Sequence, residues 1–180
     1  MSFCCWLGGL PTKRLPWALL TLIALGLELC ALYFQHALKL EPCVMCIYER
    51  CAMFGLLAAG LVGLANPNCG WLRWTGLLGW LASSAIGFKL AWDHMLLQHN
   101  PPFLPSCASS PEFPSWLPLN QWLPQVFEAY GPCEDVSWQF MGVSMVEWLV
   151  VIFSLGQALY FMMTEYFRTV RTRPDRAIIR

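Results

Sequence analysis

The chain reads as an all-α membrane protein: a four-transmembrane-helix antiparallel bundle with a long outward-facing loop that carries a short interfacial helix. Three observations predict this. The 180 residues are 57% hydrophobic and 12% charged, against about 25% charged in a soluble domain. The charges are unevenly spread, so that several windows of about 20 residues, the length that crosses a bilayer core, hold one charge or two. The 11 Lys and Arg are also sorted by segment: Arg168, Arg171, Arg173, Arg176 and Arg180 crowd the end, whereas positions 93–147 hold none. A formal net charge of zero hides that asymmetry. The excess of Lys and Arg that cytoplasmic loops carry accounts for the basic tail better than nucleic-acid binding does. The length suits a single integral membrane domain over residues 1–180.

Lys13 and Arg14 precede the first apolar run, residues 15–34. At 1.5 Å per residue it is long enough to cross a hydrocarbon core of about 30 Å. A signal peptide also starts basic and then apolar, but this run is too long, contains Glu28 and meets no small-residue cleavage site. Leu27-Glu28-Leu29-Cys30 fails as a lipoprotein box, because a Glu and a bulky Leu precede the cysteine. Residues 35–45 form a short polar loop. The second helix, 46–65, stops at the breaker cluster Asn66-Pro67-Asn68. A third helix covers 71–92, a loop rich in Pro, Ser and acidic residues covers 93–143, and a fourth helix covers 145–163 before the tail 164–180. Four spans put both termini on one side, together with Lys13, Arg14, Arg73 and the five tail arginines. That side is therefore predicted to be cytoplasmic, and the loops 35–45 and 93–143 face outward. Glu28 and Lys89 should lie at similar depth, where a lone charge is expensive, so an ion pair between them is expected, with separate snorkelling equally open.

Orientation sorts the nine cysteines. Cys43 and Cys46 fall at the outer end of the second helix, and Cys107 and Cys133 fall in the long outer loop. Cys4, Cys5 and Cys69 lie on the reducing side and Cys30 and Cys51 within helices; no role is assigned to these five. A close pair and a distant pair facing an oxidising compartment form a sensible disulfide set. Cys46 occupies the first turn of its helix, where free N–H groups and the helix dipole favour a thiolate, and Arg50 at i+4 shares that face. A merely structural bridge capping the helix, with Arg50 snorkelling, is the competing reading. A bridge between Cys107 and Cys133 would close a loop of about 25 residues and stabilise by roughly 3 kcal/mol. Inside it, Trp116-Leu117-Pro118-Leu119, Trp122-Leu123 and Val126-Phe127 suggest a short helix in the membrane interface or a lid on the bundle. No metal is expected: Cys43 and Cys46 supply half of a zinc pattern, and His36, Cys51, His94 and His99 do not complete it by spacing. Ile47 stands where covalent haem attachment needs a His.

Several of these stretches carry a resemblance. Cys43-Val44-Met45-Cys46-Ile47-Tyr48-Glu49-Arg50-Cys51 follows a span ending Tyr33-Phe34-Gln35-His36. Asp93-His94-Met95-Leu96-Leu97-Gln98 follows the third helix, and a cysteine flanks each side of the Trp-Leu-Pro-Leu segment. Over nearly the whole chain this resembles the DsbB family of membrane thiol oxidases. The resemblance implies a protein-disulfide:quinone oxidoreductase of the bacterial inner membrane, multi-pass, with its redox loops in the periplasm and its function in disulfide bond formation. It implies redox-active disulfides Cys43–Cys46 and Cys107–Cys133, with Cys107 attacked by a periplasmic thioredoxin-fold, DsbA-like dithiol protein. Cys133 would then exchange with Cys43, and Cys46 would pass electrons to a membrane quinone, ubiquinone ahead of menaquinone. Arg50 would polarise that quinone and His94 would line its site. Two further readings stand beside this one: a related thiol oxidase dedicated to a restricted substrate, and a disulfide-stapled membrane scaffold without turnover.

Overall fold

A computed structural model describes residues 13–99, 107–108 and 110–171, excepting the side chains of Met163 and residues 166–171. Cys4, Cys5 and the side chains of the tail arginines lie outside the described residues. Four long helices dominate: α1 (Arg14–His36), α2 (Val44–Ala65), α3 (Gly70–His99) and α6 (Met145–Arg171). Between α3 and α6 lie two single-turn helices, α4 (Leu119–Trp122) and α5 (Pro124–Phe127), and a small hairpin of β1 (Gln139–Phe140) and β2 (Val143–Ser144).

Local chemistry sets the ends. Pro16 sits in the first turn of α1, where its missing N–H has no intrahelical partner to lose. Cys43 is the N-cap of α2, its Sγ accepting from the Cys46 N–H at 3.2 Å. Asn66 ends α2 in an extended conformation, as the residue before Pro67 must. Ser144 and Glu147 form a reciprocal capping box at the start of α6: Glu147 N–H donates to Ser144 Oγ at 3.3 Å, and Ser144 N–H donates to Glu147 Oε2 at 2.6 Å. The β1–β2 turn is Met141-Gly142, both at positive φ, the combination that a two-residue hairpin requires.

α2 and α3 form the centre of the bundle, α1 packing on α2 and α6 on α3, while α1 and α6 barely approach one another. Close helix approach depends on small residues: a Cβ on Gly63 would enter the Trp17 ring. The core gathers Trp17, Met53, Leu56, Trp80 and Phe153. Among the described residues, three helices are long and apolar enough to cross a membrane: α1 with mean hydropathy 2.0, α2 with 1.5 and α6 with 1.6 over residues 145–162. Their outer faces stay apolar, as with Leu15, Leu22 and Ile23 on α1 and Leu155 on α6. α3 is longer, at 30 residues, and carries Gly76, Gly79, Ser83, Ser84 and Gly87, small residues that lower hydropathy.

Two boundaries differ from expectation by more than two residues. α3 runs to His99 instead of Trp92, because Ala91, His94 and Leu97 keep one buried face at helical spacing. α6 continues to Arg171 instead of Met163. The expected interfacial helix is broken into α4 and α5, since Pro124 starts a new turn.

Candidate redox site

The site is built at the start of α2. As N-cap, Cys43 has an extended backbone that turns its sulfur back over the first turn, 2.6 Å from Cys46 Sγ. Neither is in a disulfide, and their sulfurs come within about 0.6 Å of the ~2.05 Å length of one. Cys43 is buried and Cys46 half-buried.

The distant pair comes to them. Cys107 and Cys133 form a disulfide. The strand of loop before Cys133 is tied to the residue before Cys43: Tyr130 N–H and Gly131 N–H both donate to the Pro42 carbonyl, at 2.9 and 3.1 Å. Cys133 is thereby buried against Cys43 and Leu97, with Cys46 and Cys107 packed alongside. Aromatic docking holds the rest of the loop, Phe127 sitting 5.7 Å from Phe54 and 6.1 Å from Phe113 between ring centres. Trp116 and Trp122 remain exposed.

His94 reaches this cluster from the extended end of α3. Its Nε2 lies 3.6 Å from Cys43 Sγ and 3.2 Å from the Cys133 carbonyl, while Nδ1 lies 2.9 Å from Glu49 Oε1. Cys43, Cys46 and His94 border a small cleft with Glu41, Asp135 and Ser144. Cys43, His94 and Cys133 bring their sulfur and ring-nitrogen atoms within 4.8 Å of one another, as do Cys46, Glu49 and His94 with their potential ligand atoms.

Cys46 also borders an apolar cavity of about 380 Å³ in the gap between α1 and α6. Leu27, Phe34, Met53, Trp138, Leu149 and Ile152 line it. Its polar end is Arg50, whose guanidinium donates to Gln35 Oε1 at 2.8 Å and to the Val126 carbonyl, and sits 3.8 Å from Glu28. Gln35 Nε2 donates in turn to the Gln125 carbonyl at 3.0 Å. The loop segment α5 is thus pinned to the cavity rim by α1 and α2.

The four cysteines predicted as redox-active are brought together. Arg50 and Cys46 share the cavity, as their i+4 spacing suggests, but the hydrogen bonds of Arg50 run to α1 and the loop. His94 does not line the cavity; it lies beside Cys43, in the adjoining cleft. The expected Glu28–Lys89 pair is absent: Glu28 faces Arg50, and Lys89 bonds Asp93 one turn on at 2.6 Å. Cys30, assigned no role, lines the cavity. Sequence reasoning missed Glu49 and Gln35. An ionisable residue on a membrane helix is itself a signal of function, and Glu49 offered that signal.

The chain is also similar to known proteins. The family profile described as Disulfide bond formation protein DsbB matches residues 13–163. Disulfide bond formation protein B of Vibrio parahaemolyticus is 48% identical over 165 residues, covering 91% of this chain and 93% of that protein. The protein of the same name from Vibrio alginolyticus is 54% identical over 141 residues, 78% and 86% of the two chains. That of Shewanella amazonensis is 53% identical over 143 residues, 79% and 85% of the two chains.

Proposed function

The chain belongs to the DsbB family, and on that premise we propose that it oxidises a periplasmic thioredoxin-fold dithiol protein, DsbA-like, and delivers the electrons to a membrane quinone. One observation carries the reading: Cys46 borders both the cleft that holds Cys43 and His94 and the apolar cavity that holds Arg50. A sulfur with one side on a disulfide partner and the other on a lipid-type cavity is where electrons would leave a thiol relay.

The protein's own residues define the steps. A partner thiolate attacks Cys107, forming a mixed disulfide and releasing Cys133 as a thiolate. Cys133 attacks Cys43 of the oxidised close pair, forming the Cys43–Cys133 bond and releasing Cys46 with the electron pair. The buried proximity of Cys43 and Cys133 supports that direction of exchange. The partner's second thiolate then displaces Cys107, which attacks Cys133, restores Cys107–Cys133 and frees Cys43 to close on Cys46. In total the partner gives up two electrons and two protons.

The cavity fits a quinone. Its volume is within the range of about 300–1,000 Å³ of small-molecule sites, and its walls are apolar with a few polar groups at one end. Arg50 and Gln35 would hold the polar ring there, with Leu27, Phe34, Met53 and Leu149 around it. A quinone bound in this cavity would supply an acceptor for two electrons and two protons. We further infer that α3 crosses the bilayer with the other three long helices, both termini being cytoplasmic, in the bacterial inner membrane.

The test is quinone reduction by the purified protein, followed optically and driven by a reduced thioredoxin-fold partner. Cys46→Ser is expected to abolish it while Cys107–Cys133 is still reduced by the partner. Turnover retained in that variant would overturn the relay and leave a scaffold whose cysteines only hold loops. A narrow partner range would instead mark an oxidase dedicated to one substrate.

A further inference from the structure

The His94–Glu49 pair has a proton count that its surroundings fix. Nε2 faces the Cys133 carbonyl at 3.2 Å, and a carbonyl oxygen only accepts, so Nε2 carries a hydrogen. Nδ1 faces Glu49 Oε1 at 2.9 Å. A bare nitrogen against a bare carboxylate would repel, so a second proton lies between them, on the ring or on the carboxyl. In either form the pair is neutral and holds one proton more than a neutral imidazole beside a carboxylate. Neutrality suits the place, since the two side chains are 1% and 2% exposed and an uncompensated buried charge is costly.

Glu49 also lines the larger cavity, which Glu28 and Arg50 share; His94 meets only the small cleft. Facing His94 are Cys43, Cys46 and Glu49 from α2; Glu41 and Asp135 line the same cleft from the two loops, and α6 brings the uncharged Met145 and Val146. The cleft itself measures about 20 Å³, room for about one water. Yet Nε2 is 3.6 Å from Cys43 Sγ, a sulfur that the relay must release and recapture. We propose that Glu49 and His94 form a proton store for the inner cysteine pair, with His94 as the group that exchanges the proton with Cys43 and Glu49 as the positioning residue that keeps Nδ1 supplied.

This rests on the relay proposed above. When Cys43 is displaced as a thiolate, Nε2–H gives it the proton: the pair goes from two protons to one, Cys43 becomes a thiol, and no electron moves. When Cys43 bonds to Cys46, its proton returns to Nε2 and the electron pair goes to the quinone, whose two protons are those that the partner's two thiols gave up to solvent. The proton is thus delivered at the sulfur that needs it, by a pair of side chains that are themselves buried.

Two experiments test it. The first needs no turnover: ¹⁵N-histidine spectra of the purified protein, simple to assign because the chain holds three histidines and His94→Gln removes one. Expected at neutral pH, with Cys43 and Cys46 bonded, is a protonated His94 Nε2 together with a proton shared at Nδ1, the Nδ1 signal turning to that of a bare nitrogen in Glu49→Gln. A bare Nε2 in the unsubstituted protein with that bond intact would overturn the proposal. The second is the pH profile of partner-driven quinone reduction. Glu49→Gln should slow it on the order of 100-fold near neutral pH and change the shape of the profile, Glu49→Asp should restore most of the rate, and reduction of Cys107–Cys133 by the partner should be unaltered. An unchanged profile in Glu49→Gln would sink the proton store, whereas absence of quinone reduction in the unsubstituted protein would sink the relay and leave the proton count to the spectra.

Discussion

Cys43 Sγ and Cys133 Sγ lie within 4.8 Å of one another, and both lie as close to a ring nitrogen of His94. They come from distant parts of the chain, one capping α2 and the other ending the strap that hydrogen-bonds to Pro42. No apolar face of a helix dictates this contact. It follows from a helix cap and two backbone hydrogen bonds, with the Cys107–Cys133 bridge closing the loop.

The first prediction concerns that pair directly. In Cys46→Ser/Cys107→Ser, each sulfur of the two neighbours has lost its own partner. Cys43 and Cys133 should then bond to each other under mild oxidation, because little backbone movement separates them from disulfide geometry. Mass analysis after blocking free thiols should find the Cys43–Cys133 peptide as the main product. Two blocked free thiols in its place would show that the strap does not sit as described.

Arg50 and Glu28 supply the second. Their side chains are 6% and 4% exposed, with Nε and Oε2 3.8 Å apart. Removing the cation alone leaves a buried carboxylate and strips hydrogen bonds from Gln35 and Val126. Arg50→Met should therefore cost about 3–5 kcal/mol, and Arg50→Met/Glu28→Leu should recover a large part of it, as a double-mutant cycle in detergent would measure. Equal losses in the single and double variants would mean that the two charges do not act as a pair.

Lys89 and Asp93 give a contrasting third prediction. Their 2.6 Å contact is an exposed i,i+4 pair with side chains 76% and 44% exposed. Such pairs contribute about 0.3–0.5 kcal/mol, so Lys89→Met should change stability by no more than that, and Glu28→Gln should leave its effect unaltered. A loss of several kcal/mol rescued by Glu28→Gln would restore the pairing that sequence depth alone suggested.

That comparison shows where sequence ran out. Equal depth made Glu28 and Lys89 look like partners, but depth does not say which helices are adjacent. α1 packs on α2, so Glu28 meets Arg50 on α2, and Lys89 on α3 is left to its own helix. The long helices were legible because apolar runs of span length have few alternatives, and the cysteine pairs were legible from spacing and side of membrane. His94 was placed in a loop because Asp93 and His94 look like the end of an apolar run, whereas burial of Ala91, His94 and Leu97 on one face keeps the helix going. Glu49 carried no local mark of its partner, since its bond to His94 joins α2 to α3 through tertiary packing alone.

The strap that delivers Cys133 has one position where a side chain cannot be added. A Cβ at Gly131 would come within 2.7 Å of the Glu41 carbonyl oxygen, a backbone atom that cannot rotate away, while the Gly131 N–H is bonded to Pro42. Gly131→Ala must therefore lift the strap from the α1–α2 loop, at a cost of about 1–3 kcal/mol for the overpacking. Cys133 moves with it, two residues along. Since a misplacement of about 1 Å can slow a positioned reaction on the order of 100-fold, electron transfer from the loop pair to Cys43 should slow by that order. Attack at Cys107 should not, because Cys107 is half-buried where Cys133 is buried and lies outside the strap. Stopped-flow reduction of the Cys107–Cys133 bridge, compared with quinone reduction in the same variant, separates the two steps. The yield of the Cys43–Cys133 bond in the Cys46→Ser/Cys107→Ser background should fall in parallel. An undiminished yield with Ala at this position would mean that exchange does not depend on how closely the strap lies against Glu41 and Pro42.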